Sequence, residues 1–394
     1  MDEYNYLEKN KYPLIFTACL LITFCMGSIH AFSTLIENIE LQISSGRMAS
    51  SLIYSTGLIN VTVAVFFGHV VYRKLSPSAI IVLIAMLPLI GILISNSGTW
   101  LGRIIGYGIF FGLASGLGYG FSLYAVSSIT PRKKLGVALG AISASYAFGA
   151  VIFSMIYPLL FNYFDFKSGY IFGVGILSLV VIISLIIFRL AKKDLTAKTE
   201  SISNDKTIKT KIIKLWFGFF LGVFAGLMTI GHAVPIIKAS GGSSTIAIAT
   251  ITLMSFGSGI AGIYAGWLAD RFGCKNPILI ILTINSIALV ILIIFTSINL
   301  SLILLVLIAS LYGALISIYP TLVNHICGAD YSAWAYGRIF TGWGFSGLIA
   351  PSLAGWLFDQ YNNYNSSLLF AFVLSIIAVL VSWSLKYEVI DSKQ

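Results

Sequence analysis

The chain has 394 residues, of which 58% are hydrophobic and 10% charged, and its net charge is +10. A soluble domain carries roughly 25% charged residues, so composition excludes a water-soluble enzyme or binding module and makes lipid the solvent for much of the surface. Only helices and closed barrels satisfy their own backbone hydrogen bonds in lipid. The apolar runs are about 20 to 28 residues long, which suits bilayer-spanning helices and not barrel strands of about ten residues.

Taken in order, the first six runs fall at 13–37, 47–72, 78–96, 99–128, 134–162 and 168–190. The first follows a stretch of mixed charge and lacks a short apolar region with a cleavage site, so it reads as a retained helix. A polar stretch rich in Lys, Thr and Ser occupies 191–212. Six more runs follow at 213–238, 243–269, 276–297, 300–326, 333–360 and 365–386. The pattern predicts an all-α polytopic membrane protein with 12 transmembrane helices in two pseudo-symmetric six-helix bundles. Residues 1–190 form the first bundle, 191–212 a cytoplasmic linker and 213–394 the second. The halves echo one another: Tyr119-Gly120 in span 4 and Tyr312-Gly313 in span 10 each open a Gly-rich helix, a break near a Pro and another Gly-rich helix. Duplicated halves with a site between them are a common transporter plan.

Basic residues orient the chain. With the N-terminus in the cytoplasm, all of the 24 Lys and Arg except Arg47, Arg103, Lys167, Lys238 and Arg338 fall on the cytoplasmic side. The positive-inside rule then puts both termini there, in a multi-pass cell-membrane protein. The positive charge is thereby explained without nucleic acid as a partner. Arg103, one turn inside the outer end of its span, is expected to snorkel. The four cysteines have no metal-ligand spacing, which argues against a disulfide framework or zinc site. The expectation includes no cofactor and a monomer. No ATP-binding loop pattern is present, so a gradient is the expected driving force.

Between spans 8 and 9 stands Gly266-Trp-Leu-Ala-Asp270-Arg271-Phe-Gly273-Cys-Lys275. This resembles the G-x-L-A-D-R-x-G-R-K loop of the major facilitator superfamily, and the resemblance implies the major facilitator fold. Asp270 can pair with Arg271 or with a neighbouring helix N-terminus, while Gly266 permits close helix contact and Gly273 a tight turn. Asp270, Arg271 and Arg338, at the cytoplasmic end of span 11, are expected to act in gating. The loop between spans 2 and 3, Gly68-His69-Val-Val-Tyr72-Arg73-Lys74, lacks the Asp.

Other stretches resemble the oxalate/formate antiporter and monocarboxylate transporter family. They are Ser115-Gly-Leu-Gly-Tyr119-Gly, Thr130-Pro131-Arg-Lys-Lys-Leu-Gly136, His232-Ala-Val-Pro235, Tyr319-Pro320, and Tyr336-Gly337-Arg338-Ile-Phe-Thr-Gly-Trp343-Gly344. The resemblance implies carboxylate transport by alternating access and places Tyr119 in the substrate cavity. Oxalate-carrying members set a cation in span 8 and another in span 11, facing the site. The matching positions here are Gly262 and Trp343, which removes the counter-charges a buried dianion requires and leaves a monocarboxylate as the expected substrate.

No Asp or Glu lies deep in a span, but histidines do. Thr23, Gly27, His30, Thr34 and Glu37 share one face of span 1, and Gly218, Gly222, Ala225, Thr229 and His232 share one face of span 7. The two spans hold equivalent places in the halves, so His30 and His232 are expected at similar depth on opposite sides of a central cavity. There they would bind an anion, with Tyr119 and Trp343, and exchange protons as coupling partners. The competing readings are a carrier of a neutral or drug-like solute, a channel, and a membrane-embedded enzyme. The last would need a catalytic or metal-binding cluster at one depth, so the chain is read as no enzyme.

Overall fold

The computed structural model describes residues 2–44, 46–130, 135–191, 206–295, 297–327 and 329–384. Among them every regular element is helical. α1 (Asp2–Met26) tightens into a 3-10 segment, Gly27–Thr34, and a short helix, Ile36–Ile43, follows it. Next come α2 (Arg47–Lys74), α3 (Pro77–Ser95), α4 (Trp100–Ile129), α5 (Leu135–Tyr163) and α6 (Phe166–Leu190). The second series is α7 (Lys206–Ala239), α8 (Ser244–Phe272), α9 (Lys275–Ile294), α10 (Ile298–Cys327), α11 (Ala329–Tyr361) and α12 (Asn365–Ser384). Short connections make successive helices antiparallel. The face where α1 starts is the terminal face, and the opposite one is the far face. The linker expected at 191–212 lies outside the described residues over 192–205.

Eleven of these helices are long and apolar enough to cross a membrane. α11 does not reach that apolarity, so the expected twelve stand at eleven by this measure. Its composition has a physical reason. Ala335, Ile339, Phe340, Trp343, Ala350 and Ala354 are buried, and a helix enclosed by protein needs no continuous apolar coat.

Local sequence explains most helix starts. Ser76, Thr99 and Ser243 cap α3, α4 and α8 by accepting a backbone N–H from the third residue on. Pro77 occupies the first helical position of α3, where its missing N–H is harmless. Asp165 caps α6 through the amides of Lys167 and Ser168, and the Ser168 hydroxyl, with those amides, lowers its carboxyl pKa. Gly273, at φ +76°, ends α8 in a conformation that favours glycine, as the loop motif requires.

The main contacts between the first series and the second are α2 on α11 and α5 on α8, with smaller ones of α5 on α10 and of the Gly27–Thr34 segment on α7. Both main seams close on glycines. A Cβ at Gly344 would overlap Thr62, one at Gly347 would crowd Leu58, and one at Gly266 would press on the Gly136 carbonyl. Within the first series, α1 and α5 lie so close that a Cβ at Gly27 would overlap the Tyr146 carbonyl and one at Gly149 the Phe24 carbonyl. Close backbone approach at small residues is how helices gain packing energy where lipid removes the hydrophobic drive.

Glycine 149 therefore tests the architecture. Gly149→Ala is expected to destabilise the detergent-solubilised protein by about 1–3 kcal/mol through overpacking. Gly175→Ala, with nothing within 4 Å of its Cβ, leaves the thermal midpoint unmoved. Equal midpoints for the two variants would contradict the seam.

Candidate functional site

The helices surround a cavity at the junction of the two series, with about 610 Å³ of atom-free space, its open side included. Its walls carry His30, Tyr119, Tyr146, Tyr312, Phe340 and Trp343, with Ser143, Ser255, Ser258 and Ser317 among smaller apolar residues. None of the lining residues is Asp, Glu, Lys or Arg. Among the described residues no group of three His, Cys, Asp or Glu could hold a metal ion.

His30 enters the cavity because α1 changes its winding. Gly27 lets the Tyr146 backbone approach, and from there to Thr34 the chain follows a 3-10 path. The imidazole Nδ1 is 2.7 Å from the Tyr54 hydroxyl. With Tyr54 donating, Nε2 carries the hydrogen, and this nitrogen has no protein partner among the described residues. Rings of Tyr54, Tyr146, Tyr312 and Trp343 stand edge-on around it at centroid distances of 6.2, 5.5, 6.4 and 6.4 Å. Two belong to each half, so the imidazole sits where the halves meet.

Tyr119 and Trp343 also line the cavity. The Tyr119 hydroxyl is 3.2 Å from Ser143 Oγ, and its ring faces Phe340 at 6.1 Å. Trp343 donates Nε1–H to the Tyr312 hydroxyl at 2.9 Å and stacks on Phe340 at 4.9 Å.

His232, expected opposite His30, does not line this cavity. α7 kinks at His232 (φ −119°, ψ 16°). Pro235 removes the N–H that would bond the Gly231 carbonyl, and Gly231 itself packs against Tyr54 and Pro351. The kink turns the ring into the seam between the halves, fully buried. Its Nε2 lies 2.9 Å from the Pro351 carbonyl, so Nε2 donates there, with Ser51 Oγ at 3.3 Å. Nδ1 then accepts from the Tyr364 hydroxyl at 3.1 Å, which in turn accepts from Arg47 Nη1 at 3.2 Å.

This chain of bonds belongs to a polar cluster on the far face. Arg47 pairs with Glu40, and Asp359 at the end of α11 accepts the Arg47 and Met48 amides at the start of α2 at 3.2 and 3.0 Å. Lys238 donates to Glu37 at 2.6 Å. Glu37, Glu40 and Arg47 come from the first half, and Lys238, Asp359 and Tyr364 from the second. Burial pushes the Tyr364 hydroxyl pKa up, against the lowering effect of Arg47.

The expected gating residues lie toward the terminal face. Asp270 sets its carboxylate against Gly136 in the first turn of α5, where a Cβ would overlap it. That is the favourable end of the helix dipole for an anion. Arg271 lies over the rings of its own helix neighbours Trp267 and Phe272 at 5.3 and 5.4 Å. Arg338 lies 3.6 Å above Trp334 and 5.6 Å from Phe66, across the α2–α11 seam. Arg103 does not snorkel. It is 1% exposed, donates to Gln42 at 2.6 Å and faces the rings of Phe166 and Tyr170 at 5.1 and 5.6 Å. Gln42, on the short helix, and the two rings take the guanidinium in place of water.

Sequence reasoning passed over Tyr54, Tyr146, Tyr312 and the serines. A signal existed for Tyr312: it stands at the Tyr-Gly pair that echoes Tyr119-Gly120 in the other half, and the cavity takes both tyrosines. The far-face cluster gave no local signal, since its partners are brought together from the short helix Ile36–Ile43, α2, α7, α11 and the turn before α12.

Comparison with known proteins agrees with this geometry. A model of the Major Facilitator Superfamily matches residues 215–393. The oxalate:formate antiporter of Oxalobacter formigenes is 20% identical over 275 residues, which are 68% of this chain and 65% of the antiporter. The chain thus spans just under two thirds of that relative's length. Monocarboxylate transporter 12 of Rattus norvegicus is 22% identical over 92% of this chain and 84% of the relative. The solved structure of the proton:xylose symporter XylE bound to 6-bromo-6-deoxy-D-glucose shares the fold at a TM-score of 0.73 and 13% identity, covering 95% of this chain and 96% of that one. The chain is thus similar to transporters of the Major Facilitator Superfamily, in its second half by the family model, across both halves by distant relatives and along nearly its whole length in fold.

Proposed function

We propose that this protein carries a small monocarboxylate across the cell membrane together with a proton, by alternating access of two six-helix units with both termini in the cytoplasm. One observation carries the reading. His30 is the sole side chain lining the cavity that becomes cationic on gaining a proton, and its Nε2 is unengaged by protein. A protonated imidazole supplies the counter-charge for one carboxylate and withdraws it on deprotonation. A dicarboxylate would leave a second charge unpaired in a low-dielectric site. The relatives named for oxalate, formate and monocarboxylates support the substrate class.

In this mechanism His232 serves the gate and not the ligand. Its neutral ring completes the chain from Arg47 through Tyr364 to the Pro351 carbonyl. Together with Glu37–Lys238 and Asp359 on the α2 amides, that chain holds the far face shut. Asp270 against the start of α5 and Arg338 on Phe66 do the same toward the terminal face. A neutral solute is the second reading, favoured by the cavity's lack of fixed charge.

Uptake of a labelled monocarboxylate into proteoliposomes is expected to rise as pH falls on the loading side, and oxalate is not expected to compete. A hydrogen bond to a charged group contributes about 1.5–3 kcal/mol, so His30→Gln lowers apparent affinity about ten- to hundredfold and abolishes the response to a proton gradient. Uptake by His30→Gln with an unchanged pH profile points to the neutral solute instead. For the gate, Tyr364→Phe and His232→Ala are expected to raise the rate at which a far-side thiol reagent labels a cysteine placed at Ser143 in the cavity wall. Unchanged labelling would remove the far-face cluster from gating.

A further inference from the structure

The cavity has a second polar end that carboxylate binding leaves without a role. Ser317 of α10 lines the wall and is 1% exposed, yet its Oγ has no hydrogen-bond partner. Among the described residues it is the sole cavity-lining side chain with a buried, partnerless polar atom. Native structures rarely leave such a group unsatisfied, and at a cavity wall the missing partner is what the cavity holds. Ser258 of α8 lines the same wall. On α8, Gly262 makes room for this hydroxyl: a Cβ there would come within 2.6 Å of Ser317 Oγ, so any side chain at 262 would displace it.

Position along the helix sets the scale. Tyr312, whose ring touches the His30 environment at 6.4 Å, and Ser317 are five residues apart on α10. At 1.5 Å per residue the hydroxyl end lies about 7–8 Å nearer the terminal face than the imidazole end. Aromatic faces of Tyr119, Phe340 and Trp343 line the cavity with them.

We propose that Ser317, accommodated by Gly262 and helped by Ser258, is a subsite for an uncharged hydrogen-bonding group, and that the substrate is an elongated, aromatic monocarboxylate with a hydroxyl or carbonyl remote from its carboxylate. This rests on the carboxylate reading of His30. The subsite decides which monocarboxylates the cavity prefers, while His30 decides that it takes a carboxylate at all.

Proteoliposomes test it with two labelled probes, 4-hydroxyphenylacetate and phenylacetate, and with acetate as a short carboxylate. The readout is the ratio of half-saturating concentrations for the two aromatic acids. The full-length protein is expected to favour the hydroxylated acid about tenfold, as one net hydrogen bond provides. Ser317→Ala brings the ratio near one, Ser317→Thr keeps most of it, and Gly262→Ala reduces it by displacing the hydroxyl. Each variant is first shown to be monodisperse in detergent with the parent's thermal midpoint. A ratio near one in the parent protein, a preference that survives Ser317→Ala, or uptake of acetate alone overturns the subsite and leaves the carboxylate reading standing. Uptake of none of the three carboxylates overturns both.

Discussion

Backbone approach at glycine is the constraint on which this structure depends. α2 and α11, and α5 and α8, meet across the two halves through Gly344, Gly347 and Gly266, and α1 meets α5 through Gly27 and Gly149. A bilayer gives no hydrophobic push between helices, so contact area and shape must hold them together. The same closeness sets the cavity. By letting Tyr146 approach α1, Gly27 fixes where the helix tightens, and the tightened segment presents His30. By letting α11 rest on α2, the seam glycines bring Trp343 and Tyr312 to that imidazole from the other half.

The two histidines show how equivalent positions in duplicated halves come to differ. Both lie toward the far ends of α1 and α7, and each helix leaves regular geometry near its histidine. α1 does so by winding tighter, which keeps the side chain on the inner wall. α7 does so by a kink whose cause is Pro235, and the kink carries His232 into the seam. One face of α2 touches both: Ser51 is 3.3 Å from His232 and Tyr54 is 2.7 Å from His30. Any shift of α2 against α11 therefore changes the surroundings of the cavity histidine and the seam histidine together.

Hydropathy alone located nearly every long helix to within a few residues, because apolar length is a property of each segment by itself. α11 was read as one apolar run among the others, at 333–360, although its apolarity is the weakest of the twelve. The helix Ile36–Ile43 was missed, most of it falling between the first two spans, since eight residues carrying Glu37 and Glu40 do not stand out beside a long apolar run. Asp270, Gly266 and Gly273 could be read from their motif because the loop's chemistry is local. Arg103 was misjudged because its partner Gln42 sits on the unforeseen short helix. Ser317 could not be singled out at all, since a serine in an apolar helix usually bonds its own backbone and only coordinates reveal one that does not.

The far face closes with groups that water can replace. Asp359 accepts amides at the first turn of α2, a place where solvent satisfies the same donors in any free helix. Glu37, Lys238, Glu40 and Arg47 likewise keep access to the surface. When the halves part there, each lost bond is exchanged for one to water, so the closed and open forms differ little in free energy. A seam of apolar side chains would hold one form too firmly. In the proposed carrier, this barrier to water and solute is a contact that thermal motion can reverse, and the direction of net movement would be left to the gradient.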